Sequence, residues 1–84
     1  MCLWTTIIQD LKGEFERLGY KQCYKQEIND CAYDISNDFD KMNNLEEFKG
    51  MCKYLISGLV KDSELDKINY KVIYENIYDY LEDL

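Results

Sequence analysis

Carboxylates and thiols are the groups in this 84-residue chain whose types and spacing could do chemistry, and histidine is missing altogether. Without histidine, Cys–His and Ser–His pairs cannot form, and a lone thiol needs another nearby cation to become a nucleophile. The four cysteines, Cys2, Cys23, Cys31 and Cys52, contain no CxxC pair. A structural zinc site draws its ligands from closely spaced pairs, so zinc is not expected. Cys31 and Cys52 fall on apolar stripes, where a free thiol behaves as a small hydrophobe. A Cys23–Cys31 disulfide is open to an exported chain, and the spacing does not choose among the pairings that four cysteines admit. None of the 17 acids stands alone in an apolar run where burial would raise its pKa for acid–base work. The expectation is a protein with no catalytic residue, no cofactor and no metal.

Ser36 to Glu47 comes nearest to a metal motif. Counted from Ser36, residues Asp38, Asp40, Asn44 and Glu47 take positions 3, 5, 9 and 12 of a calcium loop. Position 6, where the sharp turn needs glycine, is Lys41, position 8 is Asn43, and position 1 is serine. A helix end followed by a capped helix start accounts for the same residues.

The spacing of the acids is more informative. In EINDCAYDISNDFDKM, Glu27 to Met42, the residues Glu27, Asp30, Asp34 and Asp38 recur once per helical turn with no base before Lys41. Like charges four residues apart cost a helix roughly 0.2–0.5 kcal/mol per pair, so this ridge opposes the helix that carries it. It reads either as the solvated face of an acidic protein or as a docking surface for the Lys and Arg of a partner. Residues four apart lie about 6 Å apart along the axis, an interval that also suits a mimic of a phosphate backbone.

Tyrosines make the second candidate. Tyr70, Tyr74 and Tyr78 climb one side of the last helix, and Tyr33 lies on the outer flank of the ridge helix. Eight tyrosines exceed what one small core holds with every hydroxyl paired, so some are expected at the surface as binding anchors. The competing reading is that they are rim residues sealing a small bundle.

Charge sets the class of partner. The net charge is −7 and the isoelectric point about 4.4. Phosphate contacts by Lys and Arg supply most nucleic-acid affinity, so direct nucleic-acid binding is excluded, and an anionic membrane surface is disfavoured likewise. A basic protein is favoured through steering of the encounter. Self-association stays open. MCLWTTIIQD lacks the basic start of a signal peptide, and no apolar run approaches the roughly 18 residues of a transmembrane helix, so a cytoplasmic protein is expected.

The elements that must position these residues follow from periodicity. A hydrophobic share of 46%, no proline and scattered glycines favour helices in a single domain, 1–84. Leu3, Trp4, Ile7, Ile8, Leu11, Phe15 and Leu18 fall within about 140° at 100° per residue. They predict a helix from Cys2 or Leu3 to Leu18, with Gly19 left-handed at its C′ position and Tyr20 completing a Schellman cap. The ridge helix then runs to about Met42 with Ile28, Cys31, Ala32, Ile35, Phe39 and Met42 facing the core. Asn44 and Glu47 form a capping box for a third helix, which ends near Val60 or Lys61. A short helical turn from Ser63 to Ile68 is preferred to one continuous helix, with Asn69 capping a final helix from Tyr70 to about Asp83. Short connections make neighbouring helices antiparallel, so the predicted fold is all-α, a small antiparallel bundle of about four helices.

The implied function is a non-catalytic, acidic protein-binding module: an inhibitor or antidote, such as an immunity protein, antitoxin or phage-encoded inhibitor. It would occlude a basic nucleic-acid-handling enzyme or toxin. The alternative is a structural or adaptor module that binds through an apolar, tyrosine-rich face of Tyr70, Tyr74, Tyr78 and Val72.

Overall fold

Helix α1, Leu3–Arg17, buries Ile7, Leu11 and Phe15 and stops where a glycine permits a backbone reversal. Gly19 has φ +93°, and its N–H donates to the Glu16 carbonyl at 3.0 Å. The Tyr20 N–H donates to the Phe15 carbonyl at 2.9 Å, and the two rings sit 6.1 Å apart. Both hydrogen bonds and the apolar contact are those of a Schellman cap, as the spacing predicts. The computed structural model describes residues 2–20 and 25–83.

Helix α2, Lys25–Asp38, buries Ile28, Cys31, Ala32 and Ile35, then tightens into a 3₁₀ turn over Phe39–Lys41. The α-helical part therefore ends a turn short of Met42. An acid in the last turn and no base there leave the helix dipole unopposed at this end, and a 3₁₀ turn is the usual way to finish. Helix α3, Leu45–Ile56, opens on Asn44, whose side chain accepts the Glu47 N–H at 3.0 Å. Glu47 returns the bond to the Asn43 N–H at 2.9 Å, one residue earlier than a standard capping box. The helix ends at Ile56, not at Val60. The Ser57 hydroxyl donates to the Tyr54 carbonyl at 3.0 Å, a local bond that competes with helix continuation, and Gly58 follows. Val60 is buried all the same.

A 3₁₀ strap over Asp62–Lys67 leads into α4, Tyr70–Glu82, so the two-piece reading of this region holds. The strap is pinned on several sides. Tyr20 Oη donates to Glu64 at 2.6 Å and accepts the Lys61 N–H at 3.1 Å; Arg17 reaches the Lys67 carbonyl, and Lys53 pairs with Asp66. The Asn69 side chain makes no capping bond. Its backbone N–H is instead accepted by Glu14 of α1 at 2.6 Å. The start of α4 is thus tied to α1 at the N-cap backbone and carries no side-chain cap.

Each helix packs on its neighbour in the chain, and α4 returns to α1, which closes a small all-α bundle around one apolar cluster. The α1–α2 contact is the most extensive and fixes the orientation of the acidic helix. Among the described residues there is no strand, and no helix is long and apolar enough to cross a membrane.

Candidate functional site

Because α2 turns Ile28, Cys31, Ala32 and Ile35 inward, a rotation of 100° per residue leaves Glu27, Asp30 and Asp34 facing solvent. All three are exposed, and Asp38 is half-buried. Asp38 pairs with Lys41 at 3.3 Å, and Asp30 accepts a bond from Gln26 at 3.0 Å. Among the described residues, neither Glu27 nor Asp34 has a cationic partner. Three of the four acids are therefore exposed, and Glu27 and Asp34 are unbalanced by any cation among the described residues.

Its field is felt at the nearest thiol. Burial pushes Cys31 up to about 11, and the charges of Asp34, Asp30 and Glu27 add to that rise. The Cys31 thiol donates to the Leu55 carbonyl at 3.3 Å. Burial, with a smaller contribution from Cys31, pushes Cys52 up to about 12. Both thiols stay protonated near neutral pH, where they act as packing groups and not as nucleophiles. Cys23, and with it the Cys23–Cys31 pairing, lies outside the described residues.

The residues of the calcium-like loop are engaged elsewhere: Asn44 and Glu47 in capping α3, Asp38 with Lys41. Among the described residues no cluster of three or more Cys, Asp or Glu side chains is placed to hold a metal ion. A groove of about 200 Å³ between α1 and α2, lined by Ile8, Lys12, Phe15 and Ile28 among others, falls below the usual size of a small-molecule pocket.

The tyrosines do not form one face. Tyr70 is only 2% exposed, and its hydroxyl donates to the Leu65 carbonyl at 2.6 Å. The strap folds over the start of α4 and turns this position inward, and burial raises the phenol above its ordinary pKa. Tyr70 is thus withdrawn from the surface face expected of it. Tyr74 is half-buried, with ring centroids 5.7 Å from Phe39 and 5.1 Å from Phe48. Tyr78 is exposed, yet its ring lies 5.4 Å from Phe39 and its hydroxyl 3.3 Å from that of Tyr74. These two brace the Phe39–Lys41 turn. Tyr33 stands apart on α2, 51% exposed, with its ring edge-on to Trp4 at 6.2 Å.

Trp4 is the residue that sequence reasoning misplaced. It shares the helical angle of Leu11 and Phe15, yet it is 43% exposed. Periodicity gives the angle around a helix and not the height along the bundle, and Trp4 lies in the first turn of α1, at the edge of the core. The available signal was its polar indole N–H, which needs a partner and finds the Asn29 carbonyl at 3.1 Å. Comparison with known proteins gives no match: no family model, no curated protein and no solved structure matches this chain.

Proposed function

We propose that this protein is a non-catalytic inhibitor or antidote that binds and occludes a basic, nucleic-acid-handling enzyme or toxin. The reading rests on one observation: Glu27, Asp30 and Asp34 are exposed on one face of a helix that their mutual repulsion weakens, with few internal charges to balance them. Lys and Arg side chains that otherwise hold phosphates would pair with these carboxylates, and the net charge of −7 would speed the encounter. The partner's nucleic-acid site would then be blocked without any reaction.

The adaptor reading through a tyrosine-rich face has less support, because Tyr70 lies under the strap and Tyr74 is half-buried against Phe39 and Phe48. The test is a pull-down from the source cell's lysate at low and high salt, with the wild type beside a variant carrying Asp30→Asn, Asp34→Asn and Asp38→Asn. A basic nuclease or nucleic-acid-binding protein, held by the wild type at low salt and lost by the variant, is the expected result. A partner held equally by both proteins at both salts would overturn the ridge as the binding face.

A further inference from the structure

The ridge has an aromatic border. Tyr33 and Trp4 expose about half of their surfaces side by side where α1 crosses α2. The indole N–H is already committed to Asn29, so what Trp4 offers outward is its π face and carbon edge. On α2, Tyr33 is three residues from Asp30, and residues three apart on a helix are surface neighbours, whereas Asp34 is turned about 100° from Tyr33. An aromatic surface therefore borders the acidic ridge at Asp30.

We propose that Trp4 and Tyr33 form a seat for an arginine side chain of the basic partner, stacked on the face of one ring and flanked by the other while Asp30 accepts its N–H groups. The inference rests on the ridge being the binding face and names the chemistry that face selects. A guanidinium is planar, weakly hydrated and forked, so it can stack on a ring and donate to a carboxylate together; a lysine ammonium is compact and strongly hydrated. A second copy of this chain does not fit, because it would bring two acidic ridges of a −7 protein together. Phosphate-bearing ligands are opposed for the same reason.

Trp4 is the only tryptophan, so indole emission reads this seat directly. The experiment titrates the protein at low salt with two blocked peptides, Gly-Arg-Gly-Arg-Gly and its lysine counterpart. The arginine peptide is expected to bind about three- to tenfold more tightly and to shift the emission. Tyr33→Leu should erase the preference while leaving salt-sensitive binding, Tyr33→Phe should keep the preference, and Asp30→Asn with Asp34→Asn should weaken both peptides. Far-ultraviolet circular dichroism checks that each variant is folded. Equal affinity for the two peptides with unmoved emission would overturn the seat and leave the ridge standing. No salt-sensitive binding of either peptide would overturn both.

Discussion

Helix α2 carries a column of acids and helix α4 a column of tyrosines, each repeating once per turn, and the fold treats them differently. Glu27, Asp30 and Asp34 remain in solvent, whereas Tyr70, Tyr74 and Tyr78 pass from buried to half-buried to exposed along one helix. The reason is the cost of leaving water. An unpaired carboxylate cannot be buried without losing several kcal/mol, so its exposure is settled by its type. A tyrosine gains by burial whenever its hydroxyl meets an acceptor, and the strap supplies one to Tyr70 in the Leu65 carbonyl.

The sharpest way to break this contrast is Tyr70→Ala, which empties a buried aromatic site and should destabilise the protein by about 3–5 kcal/mol in urea denaturation. A change within about 0.5 kcal/mol would return Tyr70 to the surface and revive the tyrosine face.

Glu14 should come next. Burial alone would raise its pKa, but the hydrogen bonds from Arg17 and from the Asn69 N–H outweigh that and hold it below the usual glutamate range. A depressed folded-state pKa means that the stabilisation is present above the unfolded value and is lost as pH falls through the folded one. Glu14→Gln should cost about 1.5–3 kcal/mol at neutral pH and flatten the loss of stability in acid. Asp10 works in the opposite sense: burial raises its pKa despite a bond from Asn76 at 3.1 Å, so its contribution grows as pH falls. An unchanged acid slope in the Glu14 variant would remove Glu14 from this role.

The smallest effect has the opposite sign. Asp34→Asn relieves repulsion with Asp30 and Asp38 and should stabilise the fold by about 0.4–1 kcal/mol at low salt, the gain shrinking as salt is added. Measured by thermal unfolding, a loss of stability would mean that Asp34 has a stabilising partner and that the ridge is structural.

What was legible in the sequence was local. The Gly19 cap, the Asn44–Glu47 pair, the break before Tyr70 and the ridge all depend on residues within a few positions of one another. What was not legible depends on distance in the chain. The height of Trp4 against α2, the strap over Tyr70 and the reach of Glu14 to Asn69, 55 residues away, are set by tertiary packing. The ends of α2 and α3 lie between these cases, where the dipole at Asp38 and the Ser57 back-bond tip a close balance.

The most direct test of the central claim is the association rate between this chain and its captured partner, measured at about 20 mM and about 500 mM salt. The variant with Asp30→Asn, Asp34→Asn and Asp38→Asn is measured beside the wild type. The account predicts a rate that falls at least tenfold with salt for the wild type, starts low and stays nearly flat for the variant, and accompanies a variant that melts higher. Equal rates for the two proteins at both salts would contradict it and leave the ridge as solvated surface.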